Sequence, residues 1–211
     1  MSAVATAPRK TARKAKGDGH LRRAEILEAA ERIFVAEGYE GATIRRIADE
    51  VGVSSTALYM HFQDKGCILA EICEGTFRNL LARNSEIAEK PLDPVVRTRM
   101  MLDAYMRWGL EHSNAYQLVY VARSPATQQE LPEGVAELSR QCYDTFAGVV
   151  HEVAASGRLR TGSGESAAQA LWMACHGVVA LITSRPTFAW ADHEELMRIT
   201  LDGMLHGLVV D

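Results

Sequence analysis

The stretch "ATIRRIADEVGVSSTALYMHF", residues 42–62, decides the fold. Thr43 stands where a helix needs an N-terminal cap, and Ile44, Ile47, Ala48 and Val51 recur on one helical face behind it. Gly52 ends that helix, and Ser54 caps a short second one running to about Met60. Two short helices joined at Gly52-Val53 have helix-turn-helix proportions. The glycine permits the tight turn, and Val53 tucks into a small core. Ile44, Ile47, Ala48, Leu58 and Phe62 hold the second helix at a fixed angle, with Met60 as a further apolar anchor. The opposite edge, Ser55, Thr56, Ala57, Tyr59 and His61, serves no core. It suits a DNA major groove, about 12 Å wide, into which a helix fits. Small residues in its first turn permit close approach to bases, hydroxyls reach phosphates or bases, and Lys65 just beyond neutralises a phosphate.

Helical spacing continues on both sides. Upstream, Ile26, Leu27, Ala30, Ile33 and Phe34 share one face of a helix from Leu21 to Gly38. Downstream, a long helix follows Asp64 until Pro91, and Pro94 opens another that reaches about His112. Asn114 caps a shorter helix carrying Tyr116, Leu118, Val119 and Tyr120, and Ser124 to Pro132 reads as a polar loop. Helices are expected from about Glu133 to Ala155, from about Glu165 to Arg185, and after Asp192. Strand-like alternation is absent, so the expectation is an all-α protein of about nine helices. A three-helix helix-turn-helix unit over 20–66 is followed by a larger helical domain over 67–211.

Composition bounds the function classes. The 211 residues are 47% hydrophobic and 24% charged, ordinary values for a globular chain. No apolar run approaches the roughly 18 residues that span a bilayer, so no membrane partner is expected. The first twenty residues lack the apolar stretch of a secretory signal. Cys67, Cys73, Cys142 and Cys175 show no C-x-x-C spacing, which reads as reduced thiols in a cytoplasmic protein, with no metal site. The net charge of −4 is uneven: residues 1–66 hold 11 basic and 9 acidic side chains, and the rest hold 12 and 18. Arg9, Lys10, Arg13, Lys14 and Lys16 concentrate the positive end in residues 1–19, a disordered basic arm by composition, with a transit peptide as the competing reading.

The run "ILEAAERIFVAEGYEGATIRRIADEVGVSSTALYMHFQDKGCIL", residues 26–69, resembles the DNA-binding domain of the tetracycline-repressor (TetR) family of bacterial transcription regulators. The resemblance rests on Phe34 with Gly38-Tyr39, Ala42-Thr43-Ile44, Ile47-Ala48, Gly52-Val53-Ser54, Leu58-Tyr59, His61-Phe62 and Asp64-Lys65. Val51 departs from it, standing where the family usually has alanine. The resemblance implies that Thr43, Tyr59 and Lys65 contact phosphates and that Arg45, Ser55, Thr56, Ala57 and His61 lie near base edges. Arg45 is the residue expected to read guanine. The basic arm would add a minor-groove or phosphate contact, or stay solvated.

The C-terminal part is similar to the family's ligand-binding and dimerisation domain, and "LWMACHG", residues 171–177, to a Trp-x-x-x-His-Gly signature of one subgroup. The resemblance implies a homodimer built on the last two long helices. Leu171, Val178, Val179 and Ile182, with Ile199, Met204 and Leu208, are the expected interface, although the same stripes fit a monomeric core. Gly177 would permit close approach by another helix. Pocket candidates are Tyr105, Met106, Trp108, Tyr116, Tyr120, Tyr143, Phe146, Trp172, Met173 and His176, which as a group suit an apolar or aromatic small molecule. Asp103 or Asp144 would pair with a cationic ligand unless both are simply surface residues, and His176 is either a donor to the ligand or a satisfied buried histidine.

The leading expectation is therefore a dimeric repressor, released from a palindromic operator by a small-molecule inducer and controlling an efflux or detoxification operon. The alternative is a DNA-binding activator or nucleoid-type protein without a ligand. An enzyme is not expected. No H-E-x-x-H, G-x-S-x-G, P-loop or dinucleotide pattern occurs. Adjacent Cys175 and His176 point about 100° apart on a helix, poor geometry for a nucleophile and its base. No catalytic residue, cofactor or metal is assigned.

Overall fold

A computed structural model describes residues 19–121, 132–160 and 162–210. Among them nine α-helices follow one another: α1 (Gly19–Gly41), α2 (Ile44–Val51), α3 (Ser55–Tyr59), α4 (Lys65–Ala88), α5 (Pro94–Glu111), α6 (Ser113–Tyr116), α7 (Glu133–Ala155), α8 (Gly164–Ser184) and α9 (His193–Leu208). The described residues hold no strand, only one isolated antiparallel bridge, Leu159 to Val209. The all-α expectation holds. The basic arm and the polar loop lie outside the described residues, save residues 19 and 132 at their edges.

The helix ends follow from local chemistry. Thr43, Ser54 and Asp64 each turn a side-chain oxygen onto the first turn of α2, α3 and α4, accepting from the N–H of Arg46 (3.1 Å), Ala57 (3.1 Å) and Cys67 (2.8 Å). Gly38 interrupts α1 at φ 74°, and Gly52 closes α2 at φ 73°, a region that favours glycine. One boundary differs from expectation. Asn114 lies inside α6, which starts at Ser113 without a side-chain cap and runs directly into a π-helical turn, Gln117–Val121.

Two apolar cores result. The first joins Ile26, Ala30, Phe34, Ile47, Leu58 and Phe62 of the helix-turn-helix unit to Ile68 and Ile72 of α4. The second joins Phe77, Leu80 and Ile87 of α4 to α5, α7, α8 and α9. Helix α4 is thus common to both. The π-helical turn is the other bridge: Leu118 packs in the first core, while Val119 and Tyr120 pack in or against the second.

Met60 is not an anchor. It lies 85% exposed, because α3 ends at Tyr59 and the chain turns before Phe62 re-enters the core. The expectation of no membrane-length apolar run also needs correction. Helix α8 is long and apolar enough by length and composition, with a mean hydropathy of 1.4 over 18 residues. It is a packed helix here, burying Ala167, Ala168, Leu171, Cys175, Val179 and Ile182 against its neighbours. At Gly109 of α5 an added Cβ would lie 2.6 Å from Val179, so that glycine lets α5 and α8 pack this closely.

Candidate nucleic-acid interface and ligand cavity

The edge of α3 opposite Leu58 is partly open to solvent. Tyr59 is 56% exposed, Thr56 is exposed, and Ser55, Ala57 and His61 are half-buried. Leu58, with no exposed surface, pins the helix from behind. Thr43 is exposed, and its oxygen already accepts from the Arg46 N–H, which leaves the hydroxyl proton to donate outward. The two arginines of α2 differ sharply. Arg46 is held by Glu37 at 3.1 Å and Glu50 at 3.0 Å, whereas Arg45 is 86% exposed and among the described residues pairs only with Asp49, at 3.9 Å. Arg45 is therefore the one with its guanidinium available.

Lys65 has a different environment from the one expected. Its ammonium donates to the carbonyls of Tyr39 (2.7 Å), Ala42 (3.2 Å) and Glu40 (3.4 Å) and lies 4.4 Å from the centre of the Tyr39 ring. All three donors of the ammonium are committed to the end of α1, so a phosphate must compete with them. Its position just after the turn is what places it there, since the first residue of α4 packs beside the last turn of α1. On the far side, the Arg23 guanidinium grips the Glu71 carboxylate, lies 4.2 Å from the centre of the Phe62 ring and donates to the His61 carbonyl at 3.0 Å. These clamps fix the helix-turn-helix unit to α4.

Within the second core lies a cavity of about 350 Å³. Of the candidate ligand residues, Tyr105, Tyr120, Tyr143, Phe146, Trp172 and His176 line it. Met106, Trp108, Tyr116 and Met173 do not: Met106 and Trp108 are buried in the core, Tyr116, with no exposed surface, stands behind His176, and Met173 lies exposed on the outside. The sequence reading missed Phe77, Leu80, Asn84, Met101, Leu102, Ser139 and Cys142. Only Asn84 carried a signal, as an amide one turn beyond Leu80 on a core-facing stripe. Its Nδ2 donates to the Cys142 carbonyl at 3.2 Å, and the Cys142 thiol donates to the Phe77 carbonyl at 3.2 Å. Asp103 and Asp144 are absent from the lining, and Asp103 pairs with Arg107 at 2.8 Å.

The inner end of the cavity is polar. The hydroxyls of Tyr105 and Tyr116 lie 2.9 and 2.8 Å from His176 Nδ1, and Tyr116 also donates to the His176 carbonyl at 3.1 Å. Burial lowers the His176 pKa and raises those of the Tyr105 and Tyr116 phenols. Burial also pushes the Cys142 and Cys175 thiols up to about 12, which removes the thiolate that nucleophilic chemistry requires. At the outer rim, exposed Trp172 stacks with Tyr143 at 5.7 Å, and Tyr143 donates to Glu165 at 2.6 Å.

The expected dimer face needs redrawing. Leu171, Val179 and Ile182 are buried in the chain's own core and cannot meet a partner. Val178, Met204 and Leu208 are half-buried, and Ile199 is exposed. Met173 and Leu181 share the outer side of α8 with Gly177, where an added Cβ meets nothing within 4 Å.

A helix-turn-helix head carried on a larger helical domain that encloses a cavity is the architecture of a one-component bacterial regulator. Residues 26–72 match the bacterial regulatory proteins of the tetR family, and residues 98–209, more than half the chain, match the tetracyclin repressor-like C-terminal domain. The chain belongs to the TetR family. It is similar to the HTH-type transcriptional repressor KstR2 of Mycobacterium tuberculosis, 33% identical over 104 residues, which is 49% of this chain and 52% of that one. It is also similar to the HTH-type transcriptional activator FasR of Mycolicibacterium smegmatis, 28% identical over 58% of this chain and 56% of that one. The chain thus spans about half the length of the curated relatives it matches. The solved structure of the ketosteroid transcriptional regulator KstR2 of M. tuberculosis superposes on the fold with a TM-score of 0.76 at 23% identity, covering 90% of this chain and 96% of that one.

Proposed function

We propose that this protein is a ligand-responsive transcriptional repressor that works as a cytoplasmic homodimer on a palindromic operator. One observation carries the reading: an exposed DNA-facing edge and an internal cavity are joined through two shared elements, α4 and the Gln117–Val121 turn. In this reading Thr43 and Tyr59 donate to phosphates, Arg45 reads guanine, and Ser55, Thr56, Ala57 and His61 face base edges. Lys65 holds α1 in place for them. Residues 19–66 carry 6 basic and 8 acidic side chains, so the five basic residues of the arm supply much of the charge that phosphates attract.

The dimer forms through the outer side of α8 and α9. Helix α8 is apolar nearly all round yet buried on one side only, and a helix of that kind needs cover on its second face. Met173, Gly177, Val178 and Leu181 of α8, with Ile199, Met204 and Leu208 of α9, supply it. Two-fold symmetry then sets the reading edges about 34–36 Å apart, one DNA turn. A molecule filling the cavity displaces Phe77 and Leu80 of α4 and Tyr120 of the π-helical turn. The head moves with them, and both half-sites lose register together. A coupling of about 1–3 kcal/mol suffices. An aromatic-walled cavity suits an operon for efflux or detoxification of apolar compounds. Activation is the second reading, favoured by the likeness to FasR.

Fluorescence anisotropy on the DNA upstream of the protein's own gene tests the proposal. Arg45→Ala is expected to weaken binding by about 1–3 kcal/mol at the matching base pair while leaving scrambled DNA unaffected. Tyr59→Ala is expected to weaken binding to both DNAs. Equal affinity of the unaltered protein for both DNAs refutes sequence-specific control there.

A further inference from the structure

Among the described residues, thirteen side chains line the cavity, and none of them is an arginine, lysine, aspartate or glutamate. Its walls are hydrocarbon and aromatic: Phe77, Leu80, Met101, Leu102 and Phe146. Two of the groups lining its outer part are committed elsewhere, Tyr143 to Glu165 and Asn84 to the Cys142 carbonyl. The inner end is different. His176 spends Nδ1 on two tyrosine hydroxyls, which leaves Nε2, on the opposite edge of the ring, without a hydrogen-bond partner among the described residues. Tyr105 stands beside it, its hydroxyl shared among His176 Nδ1, Tyr116 and Trp172, and so holds the imidazole in place.

A charged group brought to this end would lose its hydration with no counter-charge among the described lining residues to replace it, which is costly. A neutral oxygen would lose water and regain hydrogen bonds. We propose that the cavity takes an uncharged, mainly hydrocarbon molecule that enters with a hydroxyl or carbonyl oxygen first, and that His176 Nε2, positioned by Tyr105, reads that oxygen. This rests on the reading of the cavity as the inducer site. It deepens that reading by fixing the charge and the orientation of the ligand. Burial keeps both groups neutral at neutral pH, in line with the geometry. Edge-to-face ring contacts, Tyr105 with Tyr116 at 6.3 Å and Tyr120 with His176 at 5.2 Å, hold Tyr105 and His176 in place before a ligand arrives. The cavity's size corresponds to about a dozen waters at roughly 30 Å³ each, enough for a compact two-ring compound.

Equilibrium dialysis of the full chain, without DNA, against 4-phenylphenol, 4-methylbiphenyl and biphenyl-4-carboxylate tests this. The phenol is expected to bind about tenfold more tightly than the methyl compound, and the carboxylate more weakly than either. In Tyr105→Phe, and separately in His176→Gln, the phenol's advantage over the methyl compound is expected to vanish. The second variant keeps the test decisive if the first fails to fold. Binding of the carboxylate as tight as that of the phenol, an advantage that survives both substitutions, or no binding of any of the three overturns the proposal. Dialysis involves no operator. A phenol that binds as expected but leaves operator affinity unchanged would refute the inducer reading alone.

Discussion

The two cores of this molecule are closed in opposite ways. In the reading head, Ile26, Ala30, Ile47, Ala48, Leu58 and Ile68 have no exposed surface at all, and charged clamps hold the unit from outside. In the C-terminal half, side chains just as apolar surround a void of about 350 Å³ with a polar relay at its inner end. A head that must hold an edge in register with bases needs rigidity. In the proposed reading the second half is a sensor, and a sensor needs room, together with polar groups that a ligand can complete. The contrast shows that packing density is itself a division of labour here, with α4 and the π-helical turn belonging to both sides.

The sharpest way to break this comparison is a matched pair of truncations. Leu58→Ala empties a fully packed site and is expected to cost about 4–5 kcal/mol. Leu80→Ala enlarges a void that already exists and should cost nearer 2 kcal/mol. Urea denaturation measures both, and equal costs would mean that the cavity does not loosen its wall. Next in size is Lys65→Met, which removes three hydrogen bonds from the end of α1. A loss of about 1.5 kcal/mol is expected, the low end for charge-assisted bonds, because 25% of the side chain stays exposed. The slope of DNA affinity against salt should not change, whereas a true phosphate contact would lower it by about 0.9.

The smallest expected effect is on pH dependence. Burial holds the folded His176 pKa below its ordinary 6.5. As pH falls through that value the unfolded chain takes up a proton that the folded chain refuses. The stability that neutral His176 contributes is therefore present above pH 6.5 and lost below it. His176→Gln should flatten the stability profile below pH 6.5 relative to the unaltered chain, as read by thermal melts. Identical slopes would place His176 in water rather than against the tyrosines.

Much of this was written locally. Caps at Thr43, Ser54 and Asp64, breaks at Gly38 and Gly52, and the spacing from Ile44 to Val51 involve residues only a few positions apart, so the sequence by itself determined the helices and which edge of α3 faces away from the core. Three-residue and four-residue spacing also says which side chains share a face. It does not say which face turns inward when a helix is apolar on two. That is why Leu171, Val179 and Ile182 looked like interface and proved to be core, while Met173 and Leu181 lie outside. Nor does spacing distinguish the wall of a void from the wall of a packed core, since Leu80, Met101 and Phe146 would read identically in either. Lys65 meeting the end of α1, Tyr116 standing behind His176, and the cavity between them depend on residues 23 to 71 positions apart. Only the tertiary structure decided those, because a void is the space that several helices jointly leave unfilled and belongs to no single segment of the chain.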